Sequence, residues 1–122
     1  MFLSGSITRF SILTAALALT AAACGSSNPA APSSPADVTI SIVGDRANQS
    51  FSPNPTTVRI GQTVAWTNND TMAHDATQDS SRFATGTLNA GATSAPLMMS
   101  TAGTFTYHCT IHPDMVASIN VQ

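Results

Sequence analysis

The sequence predicts an all-β sandwich, and three observations predict it. Apolar and polar residues alternate from Asp37 onward, turn-forming residues interrupt that alternation at close intervals, and no stretch beyond residue 36 keeps a helical period. Val38, Ile40 and Ile42 alternate with Thr39 and Ser41. Val58 and Ile60 flank Arg59, and Val64 and Trp66 flank Ala65. Phe105, Tyr107 and Cys109 alternate with Thr104, Thr106 and His108, and Ala117, Ile119 and Val121 with Ser118 and Asn120. Each run reads as a short strand with one apolar and one wet face. Gly44-Asp45, Ser52-Pro-Asn-Pro55, Gly61-Gln62, Asn68-Asn69-Asp70, Gly91 and Gly103 supply the turns. Several strands at such spacing in a small chain point to an antiparallel sandwich. Residues 78–95, rich in Ser, Thr, Gly and Asn, read as a long crossing loop with at most a short strand or turn.

The length, 122 residues, allows one domain. Charge is sparse: six Asp and four Arg, no Glu or Lys, and a net charge of −2. Nucleic acid is excluded as a partner, because neutralising phosphates takes several clustered cations. Hydrophobic residues make up 43% of the chain, enough for a small core rather than a disordered polymer. A folded part of fewer than roughly 90 residues buries only about 60% of its unfolded surface, so a disulfide between the two cysteines would be useful. Their surroundings give each a different task.

Met1 to Ala23 reads as an export signal. Arg9 provides the positive start, and Phe10 to Ala23 an apolar run too short to span a membrane comfortably. The run ends in Ala21-Ala22-Ala23-Cys24-Gly25, which resembles a bacterial lipoprotein signal with Cys24 as the acylated residue. It departs from that pattern in having Ala21, rather than Leu, three residues before the cysteine. Ordinary cleavage, leaving a free thiol, is the alternative; lipidation is favoured because exported chains seldom keep a stray thiol. Residues 24–36 then form a Ser-, Pro- and Ala-rich tether without periodicity, with a reach of roughly 20–35 Å. The folded domain is expected at 37–122, outside the cytoplasm (periplasmic or at the cell surface) and anchored to a membrane through Cys24.

The strongest local signal is Tyr107-His-Cys-Thr-Ile-His-Pro-Asp-Met115. It sets a thiolate, an imidazole and a thioether at intervals of three residues. A soft sulfur, a borderline nitrogen and a weak thioether are the donors of a copper electron-transfer site, which adds a second imidazole. Parity agrees: Cys109 shares the inward face of Phe105 and Tyr107, and Met115 that of Ala117, Ile119 and Val121. Between them Thr110 to Asp114 form a tight loop with His112 at its tip. His74 is the remaining histidine, because His108 has outward parity beside Cys109; on local grounds alone His74 also reads as a solvated loop residue. Zinc fits less well, since it does not recruit methionine. Covalent haem would need Cys-x-x-Cys-His, which is absent. A Cys-His nucleophile pair would need a substrate cleft that a chain this short hardly accommodates.

These residues, with Phe51-Ser-Pro, Gly61-Gln-Thr-Val-Ala-Trp-Thr-Asn-Asn-Asp70, Phe83-Ala-Thr-Gly-Thr-Leu88 and Gly103-Thr-Phe-Thr-Tyr-His-Cys109, resemble the cupredoxins, in particular the plastocyanin and amicyanin group of small blue copper proteins. The resemblance runs from about Val38 to Gln122. It implies a Greek-key β-sandwich holding one type 1 copper ion at one end, with His74, Cys109 and His112 as equatorial ligands and Met115 as the axial one. Three departures stand out. The family's Pro-His-Asn is here Ala73-His74-Asp75, so Asp75 is expected to brace the metal loop as a carboxylate acceptor. Ile111 replaces a loop proline and regains an N–H that could reach the Cys109 sulfur and raise the potential. Asp114 puts a charge where an apolar residue would widen a docking patch.

The function expected is single-electron transfer between transient redox partners by a monomer, with no enzymatic activity. His112 is expected to be the port, ringed by Ile111, Pro113 and Met72. Copper buffering or delivery without electron turnover is the alternative, and a partner-binding sandwich with a vestigial site a third.

Overall fold

The computed structural model describes residues 34–122. The leader 1–23, Cys24 and the tether as far as residue 33 lie outside the described residues. Eight strands follow: β1 (Val38–Ile42), β2 (Phe51–Ser52), β3 (Thr56–Val58), β4 (Thr63–Asn68), β5 (Thr77–Gln78), β6 (Leu97–Met98), β7 (Gly103–His108) and β8 (Val116–Val121). One sheet runs β2-β1-β4-β6 and the other β3-β8-β7-β5. The only helical piece among the described residues is a single 3₁₀ turn, Ala47–Gln49. The chain is an all-β sandwich, as its alternation predicts.

The sheets are mixed, which corrects the antiparallel expectation. β1 runs parallel to β4 from Val38↔Val64 to Ile42↔Asn68, and β3 parallel to β8 from Thr56↔Ile119 to Val58↔Val121. The connections explain it. After β2 the chain crosses through Ser52-Pro-Asn-Pro55 to β3 in the opposite sheet, then returns to lay β4 beside β1. A strand that comes back by such a crossover, rather than by a hairpin, can run in the same direction as its neighbour. β7 and β8 are consecutive and antiparallel, paired from Gly103↔Val121 to His108↔Val116.

The alternating residues of both sheets meet in one core. Ile40, Ile42, Val64 and Trp66 come from the first sheet, and Val58, Tyr107, Ala117, Ile119 and Val121 from the second. An aromatic seam crosses between them: Tyr107 stands edge-on to Phe51 at 4.9 Å and to Trp66 at 5.7 Å, and Trp66 lies 5.5 Å from Phe83. Such pairs add about 0.5–1.5 kcal/mol each beyond the area they bury. Two positions depart from simple alternation. Ile60 is 54% exposed because β3 ends at Val58 and the chain is already turning. Ala65, on the outer face of β4, is nonetheless buried, a small side chain on an interior strand of its sheet.

Residues 69–96 contain only β5, yet they are tied to the body at several points. Isolated bridges join Thr67 to Thr93, His74 to Leu88 and Thr77 to Ala84. β5 adds itself to the outer side of β7 with Thr77 opposite His108 and Gln78 opposite Tyr107. That register carries the segment just before β5, residues 74–76, past the end of β7, beside Cys109 and Thr110.

Candidate metal centre

Two strand ends and one loop aim the site. The segment leading into β5 brings His74, the end of β7 brings Cys109, and the loop to β8 brings His112. His74 is no free loop residue: its N–H donates to the Leu88 carbonyl at 3.1 Å and its own carbonyl accepts from the Leu88 N–H at 2.7 Å. Cys109 continues the inward parity of Tyr107, and both Cys109 and His74 are 0% exposed. His112 is half-buried. The loop closes on itself, since the Cys109 N–H donates to the Met115 carbonyl and the Met115 N–H to the His112 carbonyl, both at 3.0 Å. Met115 is thereby carried to the base of the loop and fully buried.

The Cys109 Sγ lies 3.8 Å from Nδ1 of His74 and 3.9 Å from Nδ1 of His112. The three donor atoms all fall within 4.8 Å of one another. Those separations are long for hydrogen bonds but suit a shared ion. An ion held in a plane at about 2.0–2.3 Å from each of three nitrogen and sulfur donors keeps those donors about 3.5–4 Å apart. A thiolate with two imidazoles, both facing inward through Nδ1, is also the right chemistry for a copper ion. The donor set fits the metal.

A second layer of contacts holds these donors. The Asp75 N–H donates to the Cys109 sulfur at 3.4 Å. The Asp75 carboxylate accepts from the Thr110 N–H at 2.6 Å and from the Thr110 hydroxyl. Asp75 thus spans two chain segments, gripping the residue next to the cysteine through its side chain and the sulfur through its amide. Among the described residues the amide that reaches the sulfur is that of Asp75. Ile111 sits on the outside of the loop, 46% exposed, and its N–H is not among the partners of the sulfur.

Sequence reasoning missed Asp70. Its carboxylate lies 2.8 Å from Nε2 of His74, the ring nitrogen that faces away from the sulfur. The hydrogen bond with His74 is the main cause holding the Asp70 carboxyl below the usual carboxylate range, with the Thr71 and Met72 N–H groups helping and partial desolvation opposing. Asn68-Asn69-Asp70 reads as turn punctuation; the available signal was the spacing of Asp70 four residues before His74. His108 faces outward, as its parity predicts, and pairs through Nδ1 with Asp79 at 2.7 Å.

Residues 38–122 match the family model for copper binding proteins of the plastocyanin/azurin family. The chain belongs to this family. Copper is accordingly the metal of the centre, and His74, Cys109 and His112 are positioned to bind one ion. Among its relatives, an amicyanin from Paracoccus denitrificans is 33% identical over 90 residues, a match covering 66% of this chain and 65% of that protein. A plastocyanin from Scenedesmus fuscus is 32% identical over 98 residues, covering 70% of this chain and 100% of that one. In three dimensions the fold matches a purple cupredoxin from Nitrosopumilus maritimus with a TM-score of 0.63 at 25% identity, over 70% of this chain and 100% of that structure.

Proposed function

We propose that this protein is a type 1 copper electron carrier that works outside the cytoplasm, with His74, Cys109 and His112 as equatorial ligands and Met115 as the axial one. The observation that carries the reading is the convergence of one thiolate and two Nδ1 atoms at 3.8 and 3.9 Å in a largely buried end of the sandwich. Met115 is supported by its burial at the base of the loop and by its backbone bonds to Cys109 and His112. Bound there, copper supplies a one-electron couple between Cu(I) and Cu(II).

The protein's part is to hold the donors still. His74 is fixed through its backbone to Leu88, Cys109 through its sulfur and neighbour to Asp75, and the loop through its own two hydrogen bonds. Donors that cannot move need little reorganisation when the charge at their centre changes. His112, the donor side chain that reaches solvent, is the electron port. Met72, 52% exposed, and Ile111 and Pro113, both exposed, offer an apolar rim for a brief, small interface of the kind fast exchange favours. The protein acts as a monomer and has no substrate position of its own, since four protein ligands close the coordination sphere.

Loading the purified protein with Cu(II) is expected to give an intense visible thiolate-to-copper band that disappears in Cys109→Ser, with reversible voltammetry. A colourless wild-type sample would overturn the reading, and a coloured one without reversible voltammetry would favour copper delivery. The proposed address includes cleavage after Ala23, acylation of Cys24 and a tether over 24–36 that lets the domain range beside a membrane. Mass spectrometry of the native amino terminus decides it: a diacylglyceryl mass on Cys24 is expected, and a bare thiol rejects the anchor.

A further inference from the structure

Asp70 is placed as few surface aspartates are. Its carboxylate meets Nε2 of His74 at 2.8 Å, and His74 is wholly buried. An ionised carboxylate only accepts hydrogen bonds, so Nε2 must carry a proton, and in the neutral ring Nδ1 then presents a bare lone pair. That lone pair points to the Cys109 sulfur side, where the other donors converge.

The turn that carries Asp70 is itself held. The Asp70 N–H donates to Oδ1 of Asn68 at 2.9 Å, and the Asn68 amide donates to the carbonyls of Met72 at 2.7 Å and Leu88 at 2.8 Å. Leu88 is the residue whose backbone brackets His74. Gly44, at φ +112°, lies beside the carboxylate, where a Cβ would be in ordinary contact with Asp70 Oδ2 at 3.4 Å. Among the described residues His112 has no carboxylate partner, so the arrangement singles out His74.

We propose that Asp70 is the positioning residue of the metal centre: its hydrogen bond locks His74 in the tautomer that offers Nδ1 to the ion, and its charge makes that imidazole a stronger donor to Cu(II) than to Cu(I). The first half stands on the geometry alone; the second rests on the electron-carrier reading. Outer partners of this kind set ring orientation and ligand basicity, and their loss typically costs about 10–100-fold in metal affinity.

Two variants and two readouts test it. In the metal-free wild type, ¹⁵N NMR of the His74 ring should show Nε2 protonated and Nδ1 bare. Asp70→Ala should mix the tautomers and weaken Cu(II) binding by about 10–100-fold. Asp70→Asn keeps an oxygen acceptor without the charge, so it should keep the tautomer yet bind Cu(II) less tightly relative to Cu(I). Each tenfold by which Cu(II) loses more than Cu(I) raises the potential by about 59 mV. A folded Asp70→Ala protein with the wild-type tautomer and wild-type Cu(II) affinity overturns the positioning role. An Asp70→Asn protein with an unchanged potential overturns the charge effect, and decides alone on affinity if Asp70→Ala does not fold. Should wild type take up no copper, the electron-carrier reading fails, while the metal-free NMR experiment still judges the lock.

Discussion

At the scale of single residues, the core contains a polar cost that sequence alone does not reveal. The Tyr107 hydroxyl and the Trp66 Nε1 are buried without a hydrogen-bond partner. Burial pushes the Tyr107 phenol far above its usual range, with the nearby Trp66 indole only weakly opposing. A buried hydroxyl left unpaired costs about 1–3 kcal/mol of desolvation, so deleting it while keeping the ring should cost nothing. Tyr107→Phe is expected to melt at or above the wild-type temperature, and a clear fall in thermal unfolding would show an unseen partner. The residues of the metal site differ in how readable they were. Cys109 and His112 announced themselves through fixed local spacing at a strand end and in the loop after it, and Met115, the proposed axial ligand, stood out by the same spacing. His74 lies 35 residues from Cys109, and no local pattern says that a backbone bracket with Leu88 will bury it. The Asp75 amide was less legible still, because its bond to the Cys109 sulfur crosses between segments and depends on register between β5 and β7. Asp70 left only its spacing four residues before His74 as a signal.

At the scale of elements, strand alternation was plain in sequence, whereas strand neighbours were not. Inward parity in β1, β7 and β8 is a local property of period two. The parallel pairing of β1 with β4 depends on where the chain crosses between sheets, which the turn residues mark without giving a direction. The segment 69–96 is the element on which the site depends most, and Asn68 is its anchor. Fully buried, Asn68 donates to Met72 and Leu88 and accepts from the Asp70 N–H. Asn68→Ala would take a donor from the buried Leu88 carbonyl and the part-buried Met72 carbonyl and leave a small void. We expect a loss of about 2–3 kcal/mol, by the cost of unsatisfied buried groups. In a domain this small that lowers the melting temperature by roughly 10 °C or more. A drop of only a degree or two in calorimetry would mean that the bridges at Thr67–Thr93 and His74–Leu88 hold the segment unaided.

At the scale of the whole molecule, the sandwich places its core at the middle and its donors at one end, where β7 and β8 meet the segment before β5. The described residues contain a single cysteine, Cys109, and it is free. A small β domain with no disulfide in its folded part must find cohesion elsewhere. The separation of His74 from Cys109 supplies it. An ion gripped by both residues joins two points 35 positions apart and removes that freedom from the unfolded chain. By the chain-entropy relation for a covalent bridge, closing a loop of this length is worth about 4 kcal/mol. The metal is then a cross-link as well as a cofactor: His112, close in sequence to Cys109, adds little to that closure, and His74 alone turns a local binding loop into a clasp across the fold.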